Sequence, residues 1–204
     1  VQSTSGKIIA QKFMNHQDYK DFSTFATSVS AAGIDSNVLT PAGDVYTADR
    51  NISRYTVLQA WENHAGIKVR EPQEMPDDFV IAKGILLGEP EQVANIQPQA
   101  EAEFGNRFTV IRSMPFMLEI MPQGVDKGWG LAQLTQHLGL KPADVIAFGD
   151  EHNDLDMFDF AGVSVAMANG QNVVKSHADY VTASNDDDGV VKALKHFKII
   201  LRFL

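Results

Sequence analysis

The 204-residue chain has no cysteine, which excludes a disulfide framework, a thiolate nucleophile and any cysteine-ligated metal. It has no apolar run approaching the ~18 residues of a membrane-spanning helix, so no membrane partner is expected. Positive charge is in deficit: 17 Lys and Arg face 26 Asp and Glu, for a net charge of -9. A duplex binder needs a basic footprint, so nucleic acid is not expected as the main partner. The six histidines show no H-x-x-H or H-x-x-x-H spacing of the kind that holds a metal from one helix. The opening stretch VQSTSGKIIAQ lacks a basic n-region and an apolar h-region, and does not read as a signal peptide. The absence of cysteine fits a reducing compartment, and the expected location is the cytoplasm. What is present is an ordinary globular balance, 44 % hydrophobic and 21 % charged, in a chain long enough to bury a core.

The patterning changes character near residue 122. Residues 7–14 alternate weakly and predict a strand. Residues 18–33 carry Phe22, Phe25, Ala26 and Val29 at helical spacing, with Gly33 as a stop. A hairpin is expected over 36–49, a helix over 52–66 and a strand over 78–88. A helix starting at Pro90 follows, weakened in its second half by Pro98. Two strands broken at Pro115 close this α+β block at 10–122. Phe22, Phe25, Phe104, Phe108, Phe116 and Trp61 are expected in its core. Beyond it, helix and strand alternate with short loops. A helix over 127–140 places Leu131, Leu134 and Leu138 on one face. The apolar strands VIAFG, VSVAM and YVT alternate with further helices. Such alternation predicts βαβ crossovers and a parallel sheet covered on both faces.

The stretch VIAFGDEHNDLDMFDFAGVSVAM, residues 145–167, concentrates the chemistry. Ligands of open α/β sheets sit at the carboxyl ends of the strands. Asp150 follows VIAFG directly, and Gly149 permits a tight turn there. Asn153 and Asp154 lie three and four residues on, where their side chains can return to the same opening. A carboxylate, a second acid and an amide suit Mg²⁺, which takes oxygen ligands and keeps several waters. The plainer alternative is that Asp150 and Asp154 only cap the next helix. Lys127 stands just before a helix, where its charge opposes the dipole. It reads either as a lysine aimed at a phosphate or carboxylate, or as a solvated loop residue. In the 10–122 block, Asp49, Arg50 and Tyr55 are candidates for substrate contacts, or for surface charge pairing.

The run from FMLEIMPQGVDKGWG through GDEHNDLDMFDFAGVSVAMANG to NDDDGV resembles the haloacid dehalogenase superfamily, in its Cof-type sugar-phosphate phosphatase branch. The resemblance implies an α/β fold, a Rossmann-type parallel-sheet core with an α+β cap of the Cof type. The cap would be 10–122 and the core 1–9 with 123–204. It implies that Lys127 supports the phosphate and the nucleophile, that Asp150 ligates Mg²⁺, that Asn153 contacts the substrate phosphate and that Asp154 supports the site. The implied substrate is a small phosphorylated metabolite.

The family's attacking group lies in an Asp-x-Asp-x-Thr loop. No Asp-x-Asp directly behind an apolar strand occurs in these 204 residues. The expectation is therefore a partial core, inactive alone, with weak Mg²⁺ binding. VIAFG would then be an uncovered parallel edge, leading to self-association. The tail KHFKIILRFL would help cover it, or simply finish the last helix. A non-catalytic ligand- or partner-binding module, or a gene remnant, is the alternative reading.

Overall fold

The computed structural model describes residues 1–200; the final four residues, and with them the end of the KHFKIILRFL tail, lie outside the described residues. The chain divides into two compact units. One is Lys12–Val125; the other joins Val1–Gln11 to the chain from Asp126 onward.

The first unit contains α1 (His16–Val29), β1 (Asp35–Leu39), β2 (Val45–Thr47), α2 (Arg54–Glu62), β3 (Ile67–Val69), β4 (Lys83–Leu87), α3 (Pro90–Phe104), β5 (Phe108–Met114) and β6 (Met117–Pro122). Its six strands run in the order β3-β2-β1-β4-β6-β5, antiparallel except for β2 with β3. The start of α1 is set by Asn15, whose side chain accepts from the Asp18 N–H while Asp18 returns a bond to the Asn15 N–H, which satisfies two orphan donors. Phe22, Ala26 and Val29 of α1 and Val93, Ile96, Ala100 and Phe104 of α3 pack on Val38, Leu86, Leu118 and Ile120 of the sheet. Gly84 makes this possible. A Cβ there would sit 2.7 Å from the Phe22 ring, so only glycine lets that ring lie on the strand.

Some expectations fail here for identifiable reasons. Residues 7–14 form no strand; they contribute only the isolated bridges Gln2–Ile8 and Met14–Ile81, and without a continuing ladder the alternation has nothing to pair with. Trp61 is 71 % exposed. The buried side of the short α2 is Thr56, Gln59 and Ala60, which turns Val57, Leu58 and Trp61 outward. α3 runs unbroken through Pro98 because Ile96, Ala100 and Phe104, on both sides of it, are anchored in the core.

The second unit contains α4 (Lys127–His137), β7 (Ile146–Gly149), α5 (Leu155–Phe160), β8 (Val163–Ala166), α6 (Asn172–His177), β9 (Tyr180–Val181) and α7 (Gly189–His196). β7, β8 and β9 form a parallel sheet in that order. Among the described residues β7 pairs only with β8 and so forms an edge. Ala147, Phe158, Ala166 and Val174 make the centre of its core, with Leu131 and Leu155 packed against them. Only Leu131 of the expected leucine face of α4 belongs there; Leu134 and Leu138 are exposed, at 37 % and 58 %. α4 instead turns Gly128 and Thr135 inward. A Cβ on Gly128 would lie 2.4 Å from the Asp156 carbonyl oxygen, so the glycine lets α4 seat directly against the α5 backbone. No described helix is long and apolar enough to cross a membrane.

Candidate active site

The parallel register of the second unit brings the carboxyl ends of three strands to one opening. Asp150 leaves β7, and its side chain is half-buried. The chain then turns through His152–Asp154 into α5. The turn is tight enough that a Cβ on Gly149 would lie 2.5 Å from the Asp154 Cβ. That closeness lets Asp154 fold back under the strand end. Its Oδ2 accepts the backbone N–H of Asp150 at 2.9 Å and of Glu151 at 3.0 Å. Its Oδ1 accepts the Lys127 ammonium at 2.6 Å. Lys127 also donates to the Asn153 Oδ1 at 3.0 Å. The lysine is placed by the helix start: Asp126 caps α4 by accepting the Trp129 N–H at 2.6 Å, and Gly128 presses that end against α5.

The charges follow from this arrangement. Burial opposes the ionisation of Asp154, but the Lys127 hydrogen bond and the two backbone N–H groups outweigh it and hold its pKa below the ordinary carboxylate value. Asp156 moves the other way, raised by burial and then by the charges of Asp126 and Asp159. The pair Lys127–Asp154 is asymmetric: the carboxylate is buried while the ammonium is about half exposed. An ammonium has three donors. Two are used on Asp154 and Asn153, so one remains for a group in the opening.

An open cleft of about 570 Å³ lies over these residues, lined by Lys127, Asp150, Asp154, Met157, Asn169 and Asn185 among others. Three of the four expected site residues line it; Asn153 stands beside it, tied to Lys127. Asn169 and Asn185 were not anticipated. They arrive from the loops after β8 and β9, and the signal that could have found them is the rule that parallel strands deliver ligands at their carboxyl ends. Of the other candidates, Asp49 and Tyr55 have local partners within the first unit. Asp49 accepts the Ser36 N–H at 2.7 Å, Arg50 is exposed, and Tyr55 stacks on Phe116 and donates to Glu89.

A cation must find its ligands in this set. Both oxygens of Asp154 are committed. Among the described residues, no three His, Cys, Asp or Glu side chains converge as a metal cage. Among the described residues the Asp150 carboxylate meets only the Asn169 amide, at 3.5 Å, and keeps oxygen lone pairs for a cation. Mg²⁺ characteristically binds one or two carboxylates and fills its octahedron with water and phosphate oxygens. The donor set fits that mode, and does not fit a closed all-protein site.

A model of the haloacid dehalogenase-like hydrolases matches residues 1–194. The chain belongs to this family. It falls in the Cof-type branch. A candidate phosphatase of Streptococcus pyogenes serotype M6 is 33 % identical over 191 residues, covering 94 % of this chain and 69 % of that protein. The 5-amino-6-(5-phospho-D-ribitylamino)uracil phosphatase YcsE of Bacillus subtilis is 42 % identical over 127 residues, 61 % of this chain and 51 % of that enzyme. The crystal structure of a haloacid dehalogenase-like hydrolase from Bacteroides thetaiotaomicron superposes with a TM-score of 0.80 at 27 % identity, covering 95 % of this chain and 71 % of that one. This member of the family thus spans between half and three quarters of the length of these relatives. Its α/β architecture is that of the Bacteroides structure.

Proposed function

We propose that the chain supplies the phosphate- and cation-binding half of a Mg²⁺-dependent phosphatase acting on small phosphorylated metabolites such as sugar phosphates. The observation that carries this reading is the convergence of Lys127, Asp154 and Asp150 on one cleft at the carboxyl ends of parallel strands. Asp154 holds the lysine in place, and the third Lys127 donor points a fixed positive charge at a phosphoryl oxygen. Asn153, with its carbonyl spent on Lys127, keeps its amide N–H groups for the same phosphate. Asp150 would hold the cation, which when bound neutralises phosphoryl charge. The unit Lys12–Val125 acts as the cap that selects the substrate. The attacking carboxylate is assigned to none of these 204 residues.

Binding and turnover therefore separate in a test. A polypeptide of these residues alone is expected to bind inorganic phosphate in the presence of Mg²⁺ by calorimetry, and to lose that binding in Lys127→Ala. It is expected not to hydrolyse p-nitrophenyl phosphate. Phosphate binding that survives Lys127→Ala would contradict the assignment of the lysine, and turnover by this polypeptide would contradict the missing nucleophile.

The β7 edge belongs to the same proposal. A flat strand with one unpaired side offers donors and acceptors to another chain. The 204-residue polypeptide is expected to elute as a dimer or larger species in size-exclusion chromatography with light scattering. A monodisperse monomer at tens of micromolar would refute association through that edge.

A further inference from the structure

We infer that Asn169 is a positioning residue that sets the direction of the Asp150 carboxylate for a divalent cation, an inference that rests on the cation site proposed above. Asn169 stands in the loop between β8 and α6, and its side chain reaches the segments that follow both neighbouring strands, β7 and β9. Its Oδ1 accepts the backbone N–H of Asn185 at 3.0 Å. That bond fixes the amide's orientation, because a backbone N–H can only donate. The Nδ2 donor must then be the atom that faces Asp150 Oδ2, at 3.5 Å. The distance is at the outer edge of a direct hydrogen bond, so the contact contributes little to folding. It is nevertheless the one side-chain hydrogen bond to the Asp150 carboxylate among the described residues. The backbone bond from Asp150 N to Asp154 leaves that carboxylate unconstrained.

The surrounding backbone holds the amide in this place. The Gln171 N–H donates to the Asp150 carbonyl at 2.9 Å. A Cβ on Gly170 would lie 2.9 Å from both the Cα and the carbonyl oxygen of Asp150, so the two loops meet backbone to backbone where no side chain fits. On the far side Ala168 N–H reaches the Ala183 carbonyl at 3.3 Å. With both flanks pinned, the Asn169 amide has one direction to point. Partners of this kind orient a ligating side chain and tune its affinity for the metal. A role as a plain staple between the β8 and β9 loops would use only the Oδ1 end. The Nδ2 end distinguishes the two.

The test uses Mn²⁺ as the probe, titrated by electron paramagnetic resonance, with hydrogen exchange of residues 168–171 measured on the metal-free protein. Asn169→Ala is expected to weaken Mn²⁺ binding roughly 10–100-fold, with exchange protection of that loop unchanged. Asn169→Gln keeps the amide and is expected to recover most of the affinity. Asn169→Ala binding within twofold of wild type, a glutamine variant no better than alanine, or a loss of affinity matched by a loss of loop protection overturns the inference. Asp150→Ala serves to separate the two levels. If Asp150→Ala abolishes binding while Asn169→Ala does not change it, the inference falls and the cation site stands. If wild type binds no Mn²⁺, or Asp150→Ala binds as wild type does, the cation site falls and the inference falls with it.

Discussion

Replacing Asp154 by asparagine is expected to destabilise the second unit by about 2–4 kcal/mol, nearly as much as replacing it by alanine. The carboxylate serves donors on two sides: backbone N–H groups of Asp150 and Glu151 at one oxygen and the Lys127 ammonium at the other. An asparagine has one acceptor oxygen, so its NH₂ must face a donor on one side or the other. Either the two N–H groups lose their acceptor, or the ammonium does. Urea unfolding read by circular dichroism checks the size, and a loss below about 0.5 kcal/mol, the range of an unremarkable surface change, would refute the network. The pH dependence has a defined sign. Against the opposing effect of burial, the Lys127 ammonium and the two backbone N–H groups hold the folded pKa of Asp154 below the ordinary carboxylate value. Its contribution is therefore complete above that value and is lost as pH falls through the lower folded value. The stability gap between wild type and Asp154→Asn should be constant near neutrality and shrink below about pH 4. A gap that grows on acidification would show that the carboxylate is not held ionised.

The same residues explain which parts of the molecule could be read in advance. Alternation of strand and helix past residue 122 was legible because each apolar run is short and bounded, as in VIAFG and VSVAM. The Gly149–Asp150 and Asn153–Asp154 spacing was legible because all four residues belong to one turn, and local geometry alone returns Asp154 to the strand end. Asn169 and Asn185 were not legible. They reach the cleft through the register of β7, β8 and β9, a relation among three distant segments that no window of sequence contains. Trp61 and the leucines of α4 failed for a related reason. Helical spacing says which residues share a face, but the face that is buried was chosen by close approach, at Gly128 in α4 and at Thr56 and Ala60 in α2. The three-residue β3 was missed because it is stabilised by pairing with β2 and carries too few residues for any period.

Asp150→Ala is expected to act in the opposite way to Asp154→Asn. Among the described residues its carboxylate has a single, long partner in Asn169, and the residue is half-buried, so its removal should leave unfolding in EDTA within about 0.5 kcal/mol of wild type. Its loss should be felt by the cation and by catalysis. A metal ion contributes several kcal/mol of charge stabilisation in phosphoryl transfer. A fall of about 4 kcal/mol corresponds to roughly a thousandfold in rate. In a polypeptide that joins these residues to an attacking carboxylate and turns over p-nitrophenyl phosphate, Asp150→Ala should lower kcat/KM by at least about that factor, with no recovery at high Mg²⁺. Activity restored by millimolar Mg²⁺ would mean that Asp150 tunes affinity without being required as a ligand. A large loss of stability in EDTA would mean that it is part of the scaffold. Two acids four residues apart on one turn thus separate by their partners. Asp154, with every oxygen engaged, belongs to the structure that presents Lys127; Asp150, with oxygens to spare, is the residue the proposed function assigns to the cation.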